Sequence, residues 1–384
     1  QCGKTTLIDK ILSEIPNKKI NKLTFDNVKT LKLFEEDIDS FVEINVKGYD
    51  ILFIDEVHYA KDGGKKLKYL YDEFGIKIII SGSSAAEISI QSMKYLVGRI
   101  FIFNLYTFSF GEFLEAKNKK IAKLYKEAIY KETILSNLNK YLEEYVLYGG
   151  YPRAVLSETT EEKIKVLEGI YNTYLLKEIK EILALSSDYN LINLLKSLSL
   201  QIGNVISYTE LLKSTGFSFQ ELKKYLNILE KTYISSLVKP FYTNKRTELV
   251  KNPKVYFFDL GFRNICINNF SKERTDKGVL YENFIFSEMV RKGVSPKFWN
   301  TKSKAEVDFI IENKELIPIE VKSTINREVT TKSFDSFLIK YKPKKGYFLS
   351  QAFEGKIERD GIKIKYLPFV KFTGKEIRSL VSKR

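Results

Sequence analysis

Short, nearly continuous apolar runs punctuate the first third of the chain: Ile51-Leu52-Phe53-Ile54, Ile76 to Ile80, and Ile100 to Asn104. Such runs, bounded by polar residues, predict strands buried on both faces, as in a parallel sheet covered by helices. Thr5 to Ile15 carries apolar residues at helical spacing, and Phe108 to Leu114 begins a further helix. This alternation predicts an α/β fold for the N-terminal part.

From about residue 120 to 190, Leu, Ile and Tyr recur every three or four positions among Lys and Glu, which predicts helices. Tyr148-Gly149-Gly150-Tyr151-Pro152 ends one of them. Beyond 190 the order is a helix at Leu191 to Ile202, a short helix at Tyr208 to Ser214, a Thr215-Gly216-Phe217 turn and a longer helix at Ser218 to Thr232. Ser218 is the expected N-cap, with Glu221 as its capping-box partner. Ile234 to Phe241 and Thr243 to Val250 are expected to pair as a wing, completing a winged helix-turn-helix. The last part opens with a strand at Lys254 to Phe258 and a helix at Tyr281 to Lys292. Strands are expected at Glu306 to Ile311, Leu316 to Lys322 and Gly346 to Ser350. No internal repeat or low-complexity linker is visible.

Composition narrows the class. The 384 residues are 44% hydrophobic and 14% aromatic, which indicates globular structure. No apolar run approaches the ~20 residues of a membrane-spanning helix and nothing resembles a signal peptide, so no membrane partner is expected. Two cysteines, Cys2 and Cys266, cannot build a disulfide framework, so a cytoplasmic location is expected. A net charge of +15 favours an anionic partner, nucleic acid first. A lysine-rich proteome is the plainer explanation of that charge.

The first candidate site is a nucleotide site. Gln1-Cys2-Gly3-Lys4-Thr5-Thr6 matches the second half of a phosphate-binding loop; the strand and leading glycine expected before it are not in this chain. Ile51 to Ile54 followed by Asp55-Glu56 has the form of a Walker B strand. Together they describe an ATP- and Mg²⁺-dependent hydrolase. Lys4 would reach the β- and γ-phosphates, Thr5 and Asp55 would hold Mg²⁺, and Thr6 would touch the α-phosphate side. Glu56 would polarise the attacking water. Ser83, after the apolar run Ile78 to Ile80, is a candidate γ-phosphate sensor, or part of a serine-rich turn. Arg99 is a candidate arginine finger, or an ordinary surface arginine. The single histidine, His58, reads as structural.

A second set lies near the C-terminus. Asp308 in Glu306-Val307-Asp308-Phe309 and Glu320-Val321-Lys322 form the D…[DE]-x-K pattern of restriction-endonuclease-like folds. Asp308 and Glu320 would bind Mg²⁺, the Val321 carbonyl would add an oxygen, and Lys322 would orient or deprotonate water. Glu282 would supply a further carboxylate. The alternative is an exposed hairpin of alternating charge, or a retained module with decayed activity. On the winged helix, Lys213, Lys223, Lys224 and Lys231, with Lys239, Lys245 and Arg246 on the wing, would face DNA phosphates. A protein-docking role is the alternative.

With these residues in place, the chain resembles the archaeal and bacterial AAA-type predicted ATPases that carry a C-terminal domain of unknown function 4143. The matching positions include Gly3-Lys4-Thr5-Thr6, Phe53-Ile54-Asp55-Glu56, Ser81-Gly82-Ser83, Gly98-Arg99, Gly149-Gly150-Tyr151-Pro152, Lys254 to Gly261, Tyr281-Glu282-Asn283, Glu306 to Phe309 and Ile319 to Lys322. The expected architecture is a P-loop parallel-sheet ATPase core (1–115), a helical subdomain (116–190), a winged helix (191–253) and a restriction-endonuclease-like α/β domain (254–384). The expected activity is Mg²⁺-dependent ATP hydrolysis acting on DNA, with an ATP-coupled nuclease as one outcome. A nucleotide-switched scaffold that binds protein partners is the alternative. A homo-oligomer is expected by analogy with the wider ATPase class.

Overall fold

Strand Ile51–Asp55 (β2) is apolar on both sides, and its two sides have different cover. Ile51 and Phe53 pack against Leu12 of helix Lys4–Ser13 (α1). Leu52 and Ile54 join Phe25, Phe34, Phe41, Leu67 and Leu70 on the opposite side. Those residues come largely from helices Val28–Glu36 (α2), Ile38–Asn45 (α3) and Gly63–Phe74 (α4). Parallel strands need exactly such two-sided cover, because their crossover helices land on both faces.

The computed structural model describes residues 2–82, 95, 96, 98–173 and 188–380. Two compact units divide it, Gln1–Leu105 and Tyr106–Arg384. In the first, Ile20–Thr24 (β1), β2 and Lys77–Ile80 (β3) form a parallel sheet in the order β1-β2-β3. The register sets Thr24 beside Asp55 and Ile54 beside Ile80. Ile100 to Asn104 is not a strand. Phe101 and Phe103 are about nine-tenths exposed, and no strand among the described residues pairs with that segment. An apolar run becomes a buried strand only where a neighbouring strand satisfies its backbone.

The second unit begins with helices Phe110–Lys117 (α5), Lys119–Lys126 (α6), Glu132–Tyr148 (α7), Pro152–Leu156 (α8) and Thr160–Ile170 (α9). Tyr189–Leu200 (α10), Tyr208–Thr215 (α11) and Phe219–Lys231 (α12) follow, and the Ser218–Glu221 capping box is formed. Ser235–Val238 (β4) does not pair with the segment expected beside it. Lys245–Val250 is a helix (α13), started by Asn244, whose side chain accepts the Arg246 N–H at 3.0 Å. The partner of β4 is Lys254–Phe257 (β5), antiparallel, with Val238 opposite Lys254. A capping Asn followed by an acid in the first turn outweighs the weak strand pattern there.

Helices Leu260–Cys266 (α14) and Lys277–Arg291 (α15) lead into a six-stranded mixed sheet. Its strands are Lys297–Asn300 (β6), Glu306–Glu312 (β7), Leu316–Val321 (β8), Lys345–Ser350 (β9), Gly355–Arg359 (β10) and Ile362–Pro368 (β11), in the order β10-β11-β9-β8-β7-β6. β8-β9 and β9-β11 are parallel; the other pairs are antiparallel. The apolar residues of α15, Leu280, Phe284 and Ile285 among them, share a core with Phe309 and Ile319 of the sheet. Helix Lys332–Tyr341 (α16) brings Phe334 and Phe337 to the core containing Val307 and Ile310. Val307 and Ile310 sharing one core breaks strict alternation. The β6-β7 register slips between Lys297 and Trp299, opposite this stretch, and such an irregularity re-aims the intervening side chains.

Candidate functional site

In the first unit, Gly3 has φ 83°, a left-handed conformation that only glycine adopts without cost, and α1 starts at the next residue. Lys4, Thr5 and Thr6 therefore occupy the first turn, where free backbone N–H groups and the helix dipole favour anions. Cys2, Gly3 and Lys4 are partly buried; Thr5 and Thr6 are exposed. Gln1 and Ser83 lie outside the described residues.

Period-two alternation along β2 places Asp55 on the face that carries Ile51 and Phe53, the face covered by α1. There Thr5 Oγ1 donates to Asp55 Oδ2 at 2.8 Å, bringing together two residues fifty positions apart. Adjacent oxygens of an octahedral Mg²⁺ ion with 2.0–2.1 Å bonds are separated by about 2.9 Å, so this pair fits two neighbouring ligand positions. Ser81, assigned no role from the sequence, donates its hydroxyl to Asp55 Oδ1, which also accepts the Glu56 N–H at 3.0 Å. The parallel register of β2 and β3 is the signal that places Ser81 beside Asp55. Arg99 is bound to Asp72 on α4, with Nε 3.0 Å from Oδ1.

In the second unit the carboxylates Glu282, Asp308 and Glu320 are all buried. Asp308 Oδ2 accepts the Val321 N–H at 2.7 Å, so the strand after Glu320 is tied to β7. Lys322 Nζ lies 2.8 Å from Glu320 Oε1, while Oε2 of that residue is buried and has no hydrogen-bond partner among the described residues. Glu282 faces two groups of β5. Lys254 Nζ is 3.3 Å from its Oε1, and the Tyr256 hydroxyl donates to the same oxygen. Lys254 also pairs with Glu306 at 2.6 Å. The neighbouring Asn283 fixes β5 in place, accepting the Phe257 N–H and donating to the Phe257 carbonyl.

Burial pushes Glu320 up to about 7, and the Asp308 charge adds to this while Lys322 opposes it. Glu282 rises in the same direction, chiefly by burial, against the pull of Lys254. Burial works against the charge of Lys254, yet Glu282, Asp308 and Glu306 outweigh it and hold the ammonium above the usual lysine range. Among the described residues no three His, Cys, Asp or Glu side chains converge as a metal cage. Mg²⁺ needs fewer, since it commonly keeps several waters beside one or two carboxylates, and the unpartnered Glu320 Oε2 suits that role.

Lys213, Lys223, Lys224 and Lys231 are exposed on α11 and α12. The Lys223 ammonium sits 4.5 Å from the centroid of the half-exposed Phe219 ring, which packs edge-on against Tyr208. Lys239 and Arg246 are also exposed. Lys245 is engaged elsewhere, 2.6 Å from Glu312 and 3.4 Å from Glu248.

A glycine-led helix start, a strand-end aspartate in contact with the Thr5 hydroxyl, and helices on both sides of a parallel sheet thus come together in the first unit. Residues 1–114 match the AAA domain family and residues 277–370 match a domain of unknown function, DUF4143; between them, 139–273 match another, DUF8612. The N-terminal end is thus similar to the AAA domain family and the C-terminal end to DUF4143. An uncharacterized protein of Methanocaldococcus jannaschii is 28% identical over 353 residues, covering 87% of this chain and 76% of that protein. An uncharacterized Haemophilus influenzae protein is 27% identical over 321 residues, covering 82% and 75%. Among solved structures, the Walker-type ATPase PABY2304 of Pyrococcus abyssi aligns with a TM-score of 0.43 and 16% identity, over 69% of this chain and 88% of that one. No helix of the described residues is long and apolar enough to cross a membrane.

Proposed function

We propose that this protein is a Mg²⁺-dependent ATPase that acts on DNA, with a second, phosphodiester-directed site at Asp308, Glu320 and Lys322. The observation that carries the first part is the 2.8 Å contact between Thr5 Oγ1 and Asp55 Oδ2. Thr5 and Asp55 would hold the ion, which supplies charge neutralisation at the β- and γ-phosphates when bound. Lys4 binds the same phosphates as a point charge. Glu56 accepts the proton of the attacking water as its oxygen bonds to the γ-phosphorus and the bond to the β,γ-bridging oxygen breaks.

At the second site Asp308 and Glu320 would be the metal-binding pair, and Lys322, 2.8 Å from Glu320 Oε1, would orient a water toward a phosphodiester. Exposed Lys213, Lys223, Lys224 and Lys231 support backbone contact with DNA, as does the overall charge of +15. One observation favours a different reading of the C-terminal part. Lys254 and Tyr256 already occupy Glu282, as in a module that keeps the fold but binds rather than cuts.

The deciding experiment is cleavage of labelled linear, forked and four-way-junction DNA in Mg²⁺ or Mn²⁺, with and without ATP. Wild type, Asp308→Ala and Glu56→Gln are compared as full chains. Cleavage lost in Asp308→Ala supports an ATP-coupled nuclease. No cleavage, with ATP hydrolysis still abolished by Glu56→Gln, leaves a nucleotide-switched scaffold whose C-terminal domain binds partners.

A further inference from the structure

Lys254 stands where burying an ammonium group is unfavourable. Every residue of β5 is buried, and Lys254 Nζ lies 5.5 Å from the centroid of the Phe298 ring. A charge so far from water persists only where opposite charges replace its hydration. Two carboxylates do so here. Nζ is 2.6 Å from Glu306 Oε1 and 3.3 Å from Glu282 Oε1, so the ammonium bridges the start of β7 and helix α15. The charge of Asp308 reaches the same ammonium.

This commits Glu282 to the protein. Its Oε1 accepts from both Lys254 Nζ and the Tyr256 hydroxyl, which occupies the two lone pairs of that oxygen. Its Oε2 lies close to Gly203, where a Cβ would be 3.3 Å away. The other side of the cluster differs, since Glu320 Oε2 is buried with no hydrogen-bond partner among the described residues.

Charge makes the same division. The carboxylates Glu282, Glu306, Asp308 and Glu320 share this cluster with the ammonium groups of Lys254 and Lys322. Fully ionised, the six groups leave two negative charges, which is the charge of one divalent cation. The carboxyls of Glu282 and Glu320 are both raised to about 7; burial is the largest cause in each, and the Asp308 charge adds to it.

We propose that Lys254 is a resident cation of this site: its ammonium takes the place beside Glu282 and Glu306 that a second divalent ion would fill, and the site therefore binds a single divalent ion, through Asp308 and Glu320. This rests on the assignment of Asp308 and Glu320 as the metal-binding pair. Two ions together clamp both the attacking and the leaving oxygen of a displacement. With one ion, one of those tasks falls to a protein group.

The test counts Mn²⁺ bound to nucleotide-free, full-length protein, using the electron paramagnetic resonance signal of the free ion. Wild type, Asp308→Ala, Glu282→Gln, Lys254→Met and the Lys254→Met/Glu282→Gln double variant are compared. Wild type should bind one ion more than Asp308→Ala, and Glu282→Gln should match wild type. Lys254→Met should bind one ion more than wild type, and adding Glu282→Gln should abolish that gain. Thermal melts give a second readout: Mn²⁺ should raise the midpoint of Lys254→Met more than that of wild type, because the ion replaces the lost charge. Two ions lost in Asp308→Ala, an ion lost in Glu282→Gln, or no gain in Lys254→Met overturns the proposal. Should Lys254→Met fail to fold, the wild-type, Asp308→Ala and Glu282→Gln counts decide it. Equal counts in wild type and Asp308→Ala instead overturn the assignment of Asp308 and Glu320, and Lys254→Met then decides alone whether Lys254 holds an ion's place.

Discussion

Lys254 buries its ammonium against Glu282, 3.3 Å from Oε1, and thereby ties strand β5 to helix α15 and to the carboxylates at the end of β7. The lysine is only 1% exposed, so its charge is sustained by Glu282, Glu306 and Asp308 and not by water. Removing one partner of such a buried set leaves uncompensated charge, which typically costs about 3–5 kcal/mol. Lys254→Met should therefore lower stability by roughly that amount in urea titrations. Lys254→Met combined with Glu282→Gln should recover much of the loss, and a double-mutant cycle with no coupling would contradict this account.

The Thr5–Asp55 contact makes a sharper functional prediction. Thr5→Ala removes one of two neighbouring oxygens and should cut ATP turnover on the order of 100-fold. Thr5→Ser keeps the hydroxyl and should stay within a few-fold. Rates measured across a Mg²⁺ titration check this, because loss of a ligand raises the Mg²⁺ needed for half-maximal activity.

Stability should also depend on pH through Glu320. Its carboxyl is raised from 4.5 to about 7 in the folded chain. Between those values the folded form keeps a proton that the unfolded form has released, so the contribution is full below 4.5 and is lost as pH rises through about 7. Glu282 is shifted in the same direction. Thermal melts with chelator present should show wild type losing stability from pH 5 to pH 8, and Glu320→Gln losing less. Parallel curves would show that the pair does not titrate as described.

Gly149 offers a purely structural test. It has φ 73° and ψ −164°, and a Cβ placed there would lie 2.1 Å from Asp259 Oδ1 and 2.7 Å from the Gly261 nitrogen. Asp259 cannot move away freely, since its two oxygens accept the Gly150 N–H at 2.8 Å and the Phe262 N–H at 3.0 Å. Gly149→Ala should cost about 2–4 kcal/mol from steric and backbone strain together. A change of under about 0.5 kcal/mol in chemical denaturation would be the size of an ordinary surface substitution and would refute it.

If α12 contacts a DNA backbone, Lys223→Ala with Lys224→Ala should weaken binding about equally across sequences. Each lost phosphate contact should lower the slope of log affinity against log salt by about 0.9. Binding measured by anisotropy at several salt concentrations reads that slope directly; an unchanged slope would place DNA elsewhere.

Several parts of this protein are written locally in the chain. Gly3 followed by Lys4 and Thr5 specifies a helix start that suits an anion, and four apolar residues ahead of Asp55 specify a buried strand with a carboxylate at its end. Ser218 with Glu221 specifies a helix start that forms as a capping box. These are read within a few residues because helix and strand periods, and the capping of free N–H groups, are short-range effects. Partnership across the chain is different. That Ser81 meets Asp55, that Lys254 and Tyr256 meet Glu282, that β4 pairs with β5 while 245–250 turns helical, and that Ile100 to Asn104 forms no strand all depend on register and on which neighbour is present. A one-residue change of register reverses a strand's faces, and no local pattern carries that information. The tertiary structure alone decided those contacts, because only packing of the whole unit determines which buried polar atoms find each other.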